Sequence, residues 1–116
     1  MKTLHYDGAE ETYGFILDGK TYTFTHEEYV NTVQSEAIAL LEGLKEAKKQ
    51  KIKNLEIIGD SKNLTQMVLG VSKPNKKIQP TIKQIHKKLL YFDDFIINWV
   101  PRHLNPADEI SRKTPG

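Results

Sequence analysis

Tyr13-Gly14-Phe15-Ile16-Leu17-Asp18-Gly19-Lys20-Thr21-Tyr22-Thr23-Phe24-Thr25 is the stretch on which the fold turns. An apolar run meets Asp18-Gly19, the strongest short hairpin signal in the chain, and an alternating run follows, so two antiparallel strands are expected. Upstream, Thr3-Leu4-His5-Tyr6 is extended in character and stops with turn chemistry at Asp7-Gly8, giving a third strand. Downstream the period changes. From Gln34 to Gln50, Ala37, Leu40, Leu41, Leu44 and Ala47 share one helical face and the charged residues fall elsewhere, which predicts an amphipathic helix.

Beyond that helix, Leu55-Glu56-Ile57-Ile58 reads as a short strand ended by Gly59-Asp60-Ser61, and Leu64, Met67 and Val68 mark a brief helix closed by Gly70. Val71 to Pro80 reads as a lysine-bearing loop. Ile78, Ile82, Ile85 and Leu89 recur at helical spacing, and Phe95 to Val100 is a β-favouring run broken by Pro101. Asn105 is a candidate N-cap and Pro106 suits the first position of a last helix running to about Arg112. The order β-β-β-α-β-α-α-β-α predicts an α/β fold in which the first three strands are antiparallel and the last two, each delivered by helices, run parallel to the first. Residues 1–116 are read as one domain, without repeats or a linker.

Composition narrows the function classes. Seventeen Lys and Arg against fifteen Asp and Glu leave a formal charge of +2, which permits a polyanionic partner without demanding one. The absence of cysteine rules out disulfides and thiolate metal sites and suits a reducing compartment. No apolar run reaches membrane-spanning length and the N-terminus lacks a secretory pattern, so a soluble, cytoplasmic protein is expected, and it is read as a monomer. No Gly-x-Ser-x-Gly elbow is present, which sets aside a serine-type hydrolase.

Four acids carry the chemistry: Asp7, Glu36, Asp60 and Asp108. Each has a bland account, as a turn residue, a first-turn helix acid, a cap and a residue three beyond an N-cap respectively. The topology nevertheless puts Asp7 and Asp60 at the same end of adjacent strands, where ligands collect in open α/β sheets, with Glu36 and Asp108 entering from two helices. Carboxylates that close repel and raise one another's pKa values, and a hard divalent cation would compensate them.

The segments Tyr6-Asp7-Gly8-Ala9, Ser35-Glu36-Ala37-Ile38-Ala39-Leu40, Ile58-Gly59-Asp60-Ser61, and Trp99-Val100-Pro101-Arg102 with Asn105-Pro106-Ala107-Asp108 together resemble the ordered motifs of type 1 ribonuclease H, from about Lys2 to Arg112. The resemblance implies a five-stranded mixed sheet flanked by helices and hydrolysis of the RNA strand of an RNA/DNA hybrid with two Mg²⁺ or Mn²⁺ ions. Asp7 would bridge the ions, Glu36 and Asp60 would hold one, and Asp108 would help to hold the other. Glu36 would also meet the ribose 2′-hydroxyl, the group that distinguishes RNA from DNA.

The chain departs from the family in a short first loop carrying Glu10 and Glu11, both expected to face solvent, and in Thr32 and Val33 where many members have asparagines. Asn31 and Gln34 are the candidate substitutes for minor-groove contact. A basic protrusion is replaced by Lys73, Lys76 and Lys77, with Lys83, Lys87 and Lys88 on the next helix; these offer either a solvated face or a field for phosphate backbones. His103 stands where some relatives carry a proton-transferring histidine, at a shorter spacing, whereas His5, His26 and His86 are read as structural. Arg102 is a candidate phosphate contact. Trp99 is read as core, and Tyr91, Phe92 and Phe95 as packing around the last strand. The alternatives are a fold relative that binds nucleic acid or protein without cutting, and a nuclease of this fold acting on another nucleic acid.

Overall fold

The computed structural model describes residues 1–111. Its centre is a five-stranded sheet of β1 (Lys2–Gly8), β2 (Thr12–Leu17), β3 (Lys20–Thr25), β4 (Asn54–Gly59) and β5 (Asp94–Trp99), in the order β3-β2-β1-β4-β5. β1, β2 and β3 pair antiparallel, while β4 and β5 run parallel to β1. The helices are α1 (Thr32–Lys49), α2 (Lys62–Val68), α3 (Gln79–Leu89) and α4 (Asp108–Ser111), and Arg102–Leu104 forms a 3₁₀ turn absent from the sequence reading. The last helix was expected to reach Arg112, which lies outside the described residues.

Local chemistry accounts for most of this. At the β2–β3 turn both Asp18 (φ 50°) and Gly19 (φ 82°) take positive φ, the requirement of the two-residue hairpin loop that Asp-Gly signals. Stacked rings, Phe15 on Tyr22 at 4.7 Å and Tyr13 on Phe24 at 5.2 Å, then fix the register on one face of the hairpin.

α1 begins earlier than its apolar period, because the Asn31 side chain accepts a hydrogen bond from the Gln34 amide at 2.8 Å and so caps it. Glu36 consequently lies beyond the first turn, which contains no acid, and the macrodipole account of this residue is corrected. α3 likewise starts at Gln79 with Pro80 in its first turn, so the preceding loop is shorter than Val71 to Pro80. β1 also continues through Asp7 and Gly8, paired with Gly14 and Tyr13 of β2, instead of ending before them.

The core lies between one sheet face and α1 and α3, around Leu4, Tyr6, Phe15, Leu17, Leu40, Leu44, Leu55, Ile57, Leu64 and Ile85. Phe92 is buried there and Tyr91 packs against it edge-on, as expected. Trp99 and Phe95 are corrections. They are 40% and 37% exposed, because β5 is an edge strand with, among the described residues, no strand beyond it. Among the described residues no helix is long and apolar enough to cross a membrane.

β1 and α1 meet unusually closely at Gly8, where an added Cβ would lie 2.5 Å from the Ser35 carbonyl carbon and 2.6 Å from the Glu36 nitrogen. These are backbone atoms, which cannot rotate away. Gly8→Ala is expected to cost about 1–3 kcal/mol in chemical unfolding, through displacement of α1 from the sheet. A melting curve and denaturation midpoint matching those of the unaltered chain would contradict it.

Candidate metal centre

β1 pairs with β4 only as far as His5 and Ile58, yet continues beside β2 to Gly8. Beyond that fork Asp7 stands on β1 and Asp60 follows the last residue of β4. The Gly8 contact brings α1, and with it Glu36, against the same place. One ligand atom from each of Asp7, Glu36 and Asp60 lies within 4.8 Å of the other two; Asp7 and Glu36 are buried and Asp60 is half-buried. Among the described residues, Asp108 falls outside that group, yet its charge is near enough to act on Asp60.

Each carboxylate is held in its own way. Asp7 Oδ1 accepts from the Gly8 amide at 2.9 Å, and Asp60 Oδ2 accepts from the Asn105 side-chain amide at 3.2 Å. Ser61 caps α2 through its hydroxyl, at 3.1 Å from the Leu64 nitrogen, so the capping role suggested for Asp60 belongs to its neighbour. Asp108 opens α4, is buried, and has the Arg102 guanidinium 3.6 Å away.

This crowding has an electrostatic cost. Burial first, and then the like charges of Asp7 and Asp60, push the Glu36 carboxyl up to about 8, against a partial counterweight from Arg102. Asp60 is raised as well, chiefly by desolvation and secondarily by Asp108, while the Asn105 hydrogen bond and Arg102 oppose the shift. Three hard oxygen donors drawn together, two of them with raised carboxyls, fit a divalent cation. Among the described residues, Arg102, exposed on the 3₁₀ turn, is a cation whose field reaches both Glu36 and Asp60.

The remaining candidates divide. Arg102 and His103 share a cavity with Asn105, Asp108 and Glu109, and this segment reaches the acids through the Asn105 bond to Asp60 and the charges of Arg102 and Asp108. Asn31 is committed by its side-chain oxygen to capping α1, and Gln34 is half-buried beside it. Lys73, Lys76 and Lys77 are exposed on the α2–α3 connection, which starts after a helix of 7 residues, about 10 Å along its axis. Glu10 and Glu11 are exposed, as expected. His26 Nε2 pairs with the buried Ser35 hydroxyl at 2.7 Å and His86 Nε2 with the Val68 carbonyl at 2.9 Å, which are structural roles. Trp99, expected in the core, stands beside the acids instead: its indole N–H donates to the Asp60 carbonyl at 2.9 Å and the Lys62 ammonium lies 4.6 Å from its ring. Its Trp-Val-Pro-Arg setting was the available signal.

Residues 14–114 match the family model described as reverse transcriptase-like. No curated protein is detectably similar in sequence. Among solved structures, ribonuclease H1 from the halophilic archaeon Halobacterium salinarum NRC-1 is similar, at 25% identity and a TM-score of 0.84, over 94% of this chain and 92% of that one. The N-terminal ribonuclease H domain of rv2228c from Mycobacterium tuberculosis, solved as a maltose-binding-protein fusion, superposes with a TM-score of 0.87 at 19% identity, over 95% and 89%. LC11 ribonuclease H1 in complex with an RNA/DNA hybrid, from a compost metagenome, gives 0.79 at 19% identity, over 95% and 93%.

Because the folded Glu36 carboxyl titrates far above its unfolded value of 4.5, its contribution to stability is fully present below that value and is lost as pH rises through 8. In metal-free buffer the unfolding free energy should therefore fall between pH 5 and 8, by up to about 1.4 kcal/mol per pH unit, and the melting temperature with it. Glu36→Gln should flatten that fall and be the more stable protein at pH 8. An unchanged slope in the variant would contradict the assignment.

Proposed function

Because the chain belongs to the reverse transcriptase-like family and has the fold of type 1 ribonuclease H, we propose that it is a ribonuclease H, a metal-dependent endonuclease that hydrolyses the RNA strand of RNA/DNA hybrids. The observation that carries this reading is the group of Asp7, Glu36 and Asp60 oxygens within 4.8 Å at the strand fork. Two Mg²⁺ or Mn²⁺ ions are the cofactors that an all-carboxylate site suits. Asp7, Glu36 and Asp60 would hold one ion, and Asp7 with Asp108 would help to hold the other. Bound there, such a pair supplies Lewis acidity toward water and toward the phosphate and leaving 3′-oxygens.

The chain's own groups do the rest. A cation would favour the ionised form of the raised Glu36 carboxyl, in which it also accepts a hydrogen bond from the ribose 2′-hydroxyl. Arg102, exposed beside Asp108, offers its guanidinium to a phosphate. His103 lines the same cavity and would relay a proton at the departing 3′-oxygen. Lys73, Lys76 and Lys77 extend a positive field toward the nucleic acid backbone. The absence of cysteine suits work in the cytoplasm, and the domain is read as monomeric.

A second reading, a nuclease of the same fold with another nucleic acid as substrate, is favoured by one observation: Asn31 spends its side-chain oxygen on the α1 cap, leaving fewer groups for minor-groove recognition. Labelled hybrid, duplex RNA, duplex DNA and single strands, each incubated with Mg²⁺ and with Mn²⁺, separate the readings. Cleavage of the RNA strand of the hybrid alone is expected; cutting of duplex DNA alone would move the substrate, and inertness toward all would remove the enzyme.

Asp7→Asn should lower hybrid cleavage by at least about a thousandfold, since it removes the shared ligand. Its melting temperature should equal or exceed that of the unaltered chain, because a repelling charge has gone. Cleavage within about tenfold of the unaltered rate would contradict the role given to Asp7.

A further inference from the structure

The two strands that carry Asp7 and Asp60 part after His5 and Ile58, which leaves backbone groups at the fork without a sheet partner across it. Asn105 fills that fork. It is 3% exposed and comes from the far end of the chain, between the 3₁₀ turn and α4. Its Nδ2 donates to the Tyr6 carbonyl of β1 at 3.1 Å and to Asp60 Oδ2 at 3.2 Å. Its Oδ1 accepts from the Ala107 amide at 3.1 Å, and its backbone carbonyl accepts from the Asp108 amide at 3.0 Å. The orientation of the amide is unambiguous, since both groups facing Nδ2 are acceptors and the group facing Oδ1 is a donor.

We propose that Asn105 is a positioning residue, an amide clamp across the β1–β4 fork that fixes the Asp60 carboxylate and anchors the Asp108 segment to the same point. This rests on the metal-centre reading above and adds a dependence to it. A carboxylate on a short side chain still rotates about its last bond, and a cation held jointly by Asp7, Glu36 and Asp60 needs that rotation stopped. Asn105 engages one Asp60 oxygen and ties it to the backbone one residue before Asp7. The other half of the same amide sets the turn from which Asp108 emerges, so both acids take their placement from one side chain. Hydrogen-bonded partners of metal ligands commonly set metal affinity in this manner. Aspartate, nearly the same shape, cannot substitute, because an ionised carboxylate would face the Tyr6 carbonyl and Asp60 with no proton to donate.

The test is Mn²⁺ binding to the full chain without nucleic acid, with free ion read by electron paramagnetic resonance, alongside kcat and KM on the hybrid. Asn105→Ala should weaken Mn²⁺ binding by about tenfold or more and lower kcat, while the KM for hybrid stays within about twofold. Asn105→Asp should do no better. Ile85→Ala, a core truncation in α3, provides a destabilised chain whose Mn²⁺ affinity should match the unaltered one. Unchanged affinity in folded Asn105→Ala, or an equal loss in Ile85→Ala, would overturn the clamp. Should Asn105→Ala fail to fold, the unaltered chain still decides by nuclear magnetic resonance: the Asn105 side-chain amide protons should exchange slowly and shift on adding Mg²⁺, and fast exchange or no shift overturns the proposal. An unaltered chain that binds neither ion overturns the metal-centre reading itself, and the clamp with it.

Discussion

At Gly8 the backbones of a strand and a helix touch, and the meeting of Asp7 with Glu36 at the metal centre follows from that contact. A side chain of any size there would have to displace the first turns of α1, whose Ser35 and Glu36 backbone atoms occupy the space. With hydrogen in place of Cβ, the helix sits directly over the end of β1, and Glu36 arrives beside Asp7 as a consequence of main-chain geometry. The same closeness buries Ser35 completely and lets His26 bond its hydroxyl. Packing of backbone against backbone is stiff, which is what a constellation of ligands requires.

The second half of the centre depends on a sheet that comes apart. β4 stays with β5 to Gly59 and Trp99, but leaves β1 after Ile58. The gap between diverging parallel strands is the usual ligand position in open α/β sheets. Here it collects carboxylates, and the elevated Glu36 and Asp60 carboxyls are its electrostatic signature. Arg102 answers only part of that charge from an exposed position on the 3₁₀ turn.

Much of this was legible from local chemistry. Asp18-Gly19 specified its hairpin because both residues must take positive φ, and the period of Ala37, Leu40, Leu44 and Ala47 specified the buried face of α1. The acids could be placed because strand order and direction follow from the connections. What escaped depended on contacts distant in sequence. Nothing near Asn105 announces that its amide reaches Tyr6 and Asp60, separations of 99 and 45 residues. Trp99 looked like core because its composition is apolar, and only the position of β5 at the sheet edge exposes it. The start of α1 was read late because Asn31 caps it through a side chain, a signal outside the apolar period.

That edge also bears on how the molecule avoids its own kind. An outer strand with Phe95, Ile96 and Trp99 partly open to water is the sort of border onto which a stray chain could add itself and begin a fibre. β5 is interrupted before that border becomes long. It spans 6 residues, opens on Asp94 directly after Asp93, carries Asn98 tied across to Glu56, and gives way after Val100 to Pro101, which has no amide proton to offer a newcomer. The fork that gathers the acids and the break that closes the sheet's margin thus lie at the same end of the sheet.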